Sequence, residues 1–141
     1  MMRDVTQVAF LRLLEDNGVP YEFHKSENIV RIEDVDSEIL LRSLDEPERL
    51  RGTNLAWFGI DELTFTTEDA WTRLEARLRE PRARRLCGFG VWTPNGHDWV
   101  YRRFIKSTIP GYECIRAKPQ ENKFILEANP DFYQRLEHSY D

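Results

Sequence analysis

Apolar positions in this chain change their spacing along its length, and each change marks an element. From Val5 to Glu15 the spacing is helical, with Val5, Val8, Leu11 and Leu14 on one face and Asn17-Gly18 as the stop. The next apolar segments are short and read as strands: Tyr21 to Phe23, Ile29 to Ile32 and Glu38 to Arg42. The acidic turn Glu33-Asp34-Val35-Asp36 joins the last two in a hairpin. A helical turn over Glu46 to Leu50 leads through Arg51-Gly52 to Leu55-Ala56-Trp57-Phe58-Gly59-Ile60, an apolar run that predicts a strand buried on both faces. Thr66-Thr67-Glu68-Asp69 is an N-cap followed by acids in the first turn. The helix it opens is expected to bury Trp71, Leu74 and Leu78 and to stop at Pro81. Leu86 to Trp92 predicts a second apolar strand, closed by the turn Thr93-Pro94-Asn95-Gly96. Beyond it the pattern predicts a helix from His97 to Phe104, a strand from Tyr112 to Ala117 and a linker from Lys118 to Lys123. A final helix, capped by Asn129-Pro130, carries Phe132, Leu136 and Tyr140. Trp57, Trp71 and Trp92 are expected in the core.

Two apolar strands with a helix between them make a βαβ unit, whose loops fall at one edge of a parallel sheet. The first strand ends in Asp61-Glu62. Burying two adjacent carboxylates is expensive, so they are expected at the open carboxyl end, where ligands bind in open α/β sheets. An apolar strand ending in two acids is the Walker B pattern of nucleotide hydrolases. There the first acid, Asp61, holds Mg²⁺ on the phosphates of ATP, and the second, Glu62, orients or deprotonates a water. Thr93, at the tip of the neighbouring strand, stands where such enzymes sense the γ-phosphate. The residues alone leave open plainer readings, in which Asp61-Glu62 is a solvated strand end and Thr93 a turn-capping hydroxyl.

At this point the chain resembles the phage terminase large subunit, the ATP-driven motor that packages viral DNA. The residues that carry the resemblance are Glu46-Pro47-Glu48-Arg49-Leu50-Arg51-Gly52, Phe58-Gly59-Ile60-Asp61-Glu62, Arg77-Leu78-Arg79-Glu80-Pro81, Thr93-Pro94-Asn95-Gly96, Glu121-Asn122 and Tyr133-Gln134-Arg135-Leu136. It spans roughly residue 5 to the end. The resemblance implies a partial P-loop ATPase core of α/β class, a mostly parallel sheet with an added β-hairpin. It implies a division into residues 1–117, with Walker B and the coupling motif, and residues 118–141, the start of a linker towards a nuclease domain. It further implies Arg51 as an arginine finger acting on a neighbouring subunit, Thr93 as coupling residue, and ATP and Mg²⁺ as ligands. The implied partners are double-stranded DNA, the terminase small subunit, the portal and further copies in a homo-oligomeric ring, in the host cytoplasm. Arg51 has a plainer reading as a partner for the local acids.

The sequence departs from that family in two respects, the expected absence of the nuclease domain that follows the ATPase and the lack of a phosphate loop. Terminases carry a phosphate loop, G-x-x-x-x-G-K-[ST], whereas the seven glycines here, at 18, 52, 59, 88, 90, 96 and 111, are never followed by Lys-Ser or Lys-Thr. The expectation is therefore the middle of a motor, inactive alone. The competing expectations are a non-enzymatic prophage remnant or split-gene fragment, and a fragment of an unrelated P-loop helicase.

Composition and charge refine this picture. With 40% hydrophobic and 32% charged residues the chain reads as a soluble globular domain. No apolar run approaches a membrane span, and Met-Met-Arg-Asp has no signal-peptide character. Cys87 and Cys114, each expected on a strand, lack metal-type spacing and read as reduced core thiols, while His24, His97 and His138 read as surface residues. The net charge of −5 hides an asymmetry. Residues 1–70 hold 7 Lys/Arg against 16 Asp/Glu, and residues 71–105 hold 8 Arg against 3 acids. Arg73 and Arg77, one helical turn apart and away from Trp71 and Leu74, are the candidates for DNA contact. A solvated basic face or a ring interface would use the same arginines.

Overall fold

The computed structural model describes residues 6–44, 50 and 52–135, and it divides into two compact units, Met1–Thr93 and Pro94–Asp141. The first unit opens with α1 (Thr6–Asp16). Its end is a Schellman motif: Val19 N–H donates to Leu14 C=O at 2.9 Å and Gly18 N–H to Glu15 C=O at 3.0 Å, with Gly18 at φ +63°. That left-handed position suits glycine, which has no Cβ to clash. Three strands follow: β1 (Tyr21–His24), β2 (Ile29–Ile32) and β3 (Ser37–Leu40). They pair antiparallel in the order β1-β2-β3, with Tyr21 opposite Ile32 and Ile29 opposite Leu40. Both connections are short, and tight connections permit only antiparallel neighbours. Asn28 and Asp36 take the positive φ values in them, +51° and +47°, which their short polar side chains tolerate. Alternation does the rest: Val30 and Ile32 point inward onto Leu14 of α1, and Arg31 points out.

The expected hairpin is therefore present, extended by β1 into a three-stranded meander. The expected mostly parallel, P-loop-type sheet is not. The strands form two separate sheets, three-stranded antiparallel and two-stranded parallel. The physical reason is the supply of crossovers. A parallel pair needs a connection long enough to return, usually a helix, and among the described residues only one connection, through α2 (Glu68–Glu75), joins two strands that way.

That parallel pair is β4 (Trp57–Ile60) and β5 (Cys87–Gly90), in register Trp57 to Cys87 and Ile60 to Gly90. Thr67 caps α2 as expected, its side chain accepting from Ala70 N–H at 3.2 Å. Trp71 and Leu74 are buried, with Trp71 edge-on to Phe58 at 5.0 Å between ring centroids. The helix ends at Glu75, well before Pro81, and Leu78 instead bridges to Leu55, because Leu55 N–H and C=O are taken by Arg77 C=O and Arg79 N–H. Glycines make room for rings across the strands. A Cβ on Gly88 would meet the Phe58 ring at 2.2 Å, and one on Gly59 the Phe89 ring at 2.6 Å.

Burial on both faces, expected for β4, is not found. Phe58 and Ile60 are buried towards α2, whereas Trp57 and Gly59 are exposed. Trp57 is thus outside the core, Trp92 is half-buried, and Trp71 alone of the three expected core tryptophans is buried. A single helix covers one face of the pair, and a two-stranded sheet has no second layer of its own.

In the second unit, Asp98 Oδ1 accepts from Tyr101 N–H at 2.9 Å and starts the expected helix, which continues as a π-helix over Tyr101–Lys106. Trp99 and Val100 are buried there, and Arg103 donates to the Tyr112 hydroxyl at 3.0 Å while lying over its ring. The expected strand from Tyr112 to Ala117 is irregular. The pairing edge it would need is absent from this unit, whose described residues hold no strand. The expected linker contains a 3-10 turn, Pro119–Glu121, and runs into a helix missing from the sequence reading, α3 (Lys123–Ala128). Asn122 caps α3 by accepting from Ile125 N–H at 3.3 Å. Cys87 and Cys114 are free and half-buried. Among the described residues no helix is long and apolar enough to cross a membrane.

Candidate functional site

The chain reverses just after β4. Val91 N–H donates to Ile60 C=O at 3.0 Å, prolonging the pairing, and Leu63 N–H donates back to Val91 C=O at 2.9 Å. Leu63 is fully buried and its side chain lies against Gly90. Between these anchors only Asp61 and Glu62 are free to stand out, and both are exposed. Glu62 adopts φ +52°, a left-handed conformation, so the turn swings it off the strand axis. The carboxylate of Asp61 organises that turn: Oδ1 accepts from Glu62 N–H at 3.1 Å and Oδ2 from the Thr6 hydroxyl at 3.3 Å.

Parallel pairing puts the end of β5 beside this turn. Thr93 is exposed, two residues past Val91, so Asp61, Glu62 and Thr93 follow the carboxyl ends of neighbouring strands. Arg51 lies outside the described residues. Arg73 is ion-paired with Asp69 one turn earlier on α2, Nε to Oδ2 at 2.5 Å. Arg77 is half-buried just beyond that helix, its carbonyl accepting from Leu55 N–H at 2.8 Å. The fold thus places Asp61, Glu62 and Thr93 at one sheet edge, while Arg73 and Arg77 belong to the crossover.

Asp61 supplies the hard oxygen donors that Mg²⁺ takes. Among the described residues no three His, Cys, Asp or Glu side chains converge on a metal position. A cation at Asp61 would draw its remaining ligands from water and phosphate, as Mg²⁺ does in nucleotide sites. Thr6 and the Leu63–Val91 clamp were not legible as parts of this site. Thr6 lies 55 residues from Asp61 in the chain, and no local pattern connects them.

Comparison of the chain with protein-family models, curated proteins and solved structures finds no match.

Proposed function

We propose that this chain is the acid-bearing part of an ATP-driven DNA-packaging motor of the terminase large-subunit kind. The observation that carries the reading is the parallel register of β4 and β5, which sets Asp61-Glu62 and Thr93 at the same edge of one sheet. In this reading Asp61 bears on the Mg²⁺ that accompanies ATP, and Glu62 orients the attacking water. Thr93, on the adjacent loop, responds to the γ-phosphate, and the Leu63–Val91 hydrogen bond ties the two loops so that a shift in one moves the other. Such catalysis consists of positioning and charge stabilisation. Arg51 would stabilise the transition state of a neighbouring subunit, and Arg73 and Arg77 would contact DNA phosphates.

Phosphate is held mainly by backbone N–H groups and the Lys of a glycine-rich loop, and the sequence contains no such loop. The chain alone should therefore release no phosphate from Mg·ATP. Co-expressed with a polypeptide carrying a terminase phosphate loop, it should hydrolyse ATP, and Glu62→Gln should abolish turnover with nucleotide binding nearly intact. Turnover by the assembled pair that is unaffected by Glu62→Gln would sink the assignment.

A further inference from the structure

The β4–β5 sheet has a second face that α2 does not cover. Trp57, Phe89 and Val91 lie on it at 44%, 56% and 57% exposure. Trp57 and Phe89 are stacked, 6.0 Å between ring centroids and 17° between planes, so the face is flat and preformed. Neither strand carries a charged residue to discourage association, the usual protection of an exposed sheet. Charge is confined to the two ends. Exposed Arg84 and Arg85 precede β5, and exposed Asp61 and Glu62 follow β4. Because the strands are parallel, the basic and acidic ends lie at opposite limits of the apolar face, roughly 13 Å apart for four residues of strand.

We propose that this face is the docking surface for a second copy of the chain, packed sheet to sheet about a two-fold axis. The axis reverses strand direction in the second copy. Its Arg84-Arg85 end then lies over the first copy's Asp61-Glu62 end, and the reverse holds at the other limit. A face that is apolar in the middle, positive at one end and negative at the other is complementary to itself under that operation, which is what an isologous interface requires. With three large apolar side chains on each copy, the contact is expected to give a concentration-dependent dimer in place of an obligate one. The inference does not depend on the nucleotide reading, although the dimer would bring the partner's arginines to the acid pair.

Sedimentation velocity of the full chain over a wide concentration range tests it. A reversible monomer–dimer equilibrium that weakens with added salt is expected. Val91→Lys should raise the dimer dissociation constant on the order of tenfold or more, since it places an unpaired charge in the contact. The double variant Arg84→Glu/Arg85→Glu should also be monomeric, as should Asp61→Lys/Glu62→Lys. All four positions are exposed, and the substitutions at Asp61 and Glu62 disturb only a surface turn and its bond to Thr6, so circular dichroism should show both variants folded. Mixing the two should restore a dimer containing one of each. A chain that stays monomeric throughout overturns the proposal, whether the face is left bare or takes a different partner. Association unchanged by Val91→Lys, or no recovery on mixing folded variants, overturns it equally. None of these outcomes bears on ATP hydrolysis, so the two readings fail separately.

Discussion

The three-stranded and two-stranded sheets are built from strands of the same four-residue length, yet one completes itself and the other does not. The meander carries its charges on the outer side: Arg31 and Glu38 face each other across β2 and β3, Nη2 to Oε1 at 2.7 Å. Its inner side, Val30 and Ile32, is closed by Leu14 of α1 with Phe10, Leu11 and Val19 around it. The parallel pair has no charged residue in either strand. Gly59 and Gly88 are covered by rings from the neighbouring strand, Gly90 lies against Leu63, and one face of the pair is left apolar and open. An antiparallel meander can be satisfied by one helix on one side, because its other face alternates to polar. A parallel pair made of apolar strands needs cover on both sides. The difference explains why the candidate site and the proposed contact surface both belong to the parallel pair.

The sharpest way to break this contrast is to remove the cover that each sheet has. Trp71→Ala should cost about 3–5 kcal/mol and lower amide-exchange protection in β4 and β5 first. Val30→Ala should cost about 2 kcal/mol and act first on β1–β3. Equal loss of protection in both sheets for either variant would mean that the two regions unfold as one, and the contrast would be one of shape alone. Next in size is the glycine pair. Gly88→Ala drives a methyl into the buried Phe58 ring and should cost roughly 1–3 kcal/mol. Gly59→Ala meets the exposed Phe89 ring, which can swing into solvent, so its cost in urea denaturation should be clearly smaller. A reversal of that order would show that the open face is packed. Thr67→Ala removes the α2 cap and should cost about 1 kcal/mol, read as a lower melting temperature.

The smallest effect is electrostatic. Arg82 sits between the regions: it bonds Glu80 at 2.9 Å and reaches Asp36 of the meander at 3.8 Å. The hydrogen bond from Arg82 holds the Glu80 carboxyl below its ordinary range. A carboxylate depressed in the folded state stabilises it above the unfolded value, and that contribution disappears as pH falls through the folded one. The pair is exposed and screened by salt, so Arg82→Ala should lower the melting temperature slightly at neutral pH and low salt. It should make no difference in acid, where Glu80 is protonated in both states. A difference that persists in acid would assign Arg82 a packing role.

Much of the local architecture was legible. The helix ending at Asn17-Gly18, the β2–β3 hairpin, the Thr67 cap and the helix between two parallel strands all follow from spacing and turn chemistry, which act within a few residues. The apolar stripe of that first helix held only in part, since Leu11 and Leu14 pack on the meander, Val8 is exposed and Val5 lies outside the described residues. The acid pair was legible for the same reason, since an apolar run ending in two carboxylates must open to solvent there. Trp57 was misplaced because an apolar strand looks the same whether one or two layers cover it. The strand expected at Tyr112 to Ala117 failed because a strand exists only where another lends an edge. By itself the sequence determined the helices and strands whose signals are local, such as α1, the β2–β3 hairpin, the start of α2 and the β4 and β5 segments, through interactions that span one turn or one hairpin. Only the tertiary structure decided that the strands divide into two sheets, that Thr6 reaches Asp61, and that one face of β4–β5 stays bare. Those outcomes depend on which distant segments are present to pair and pack.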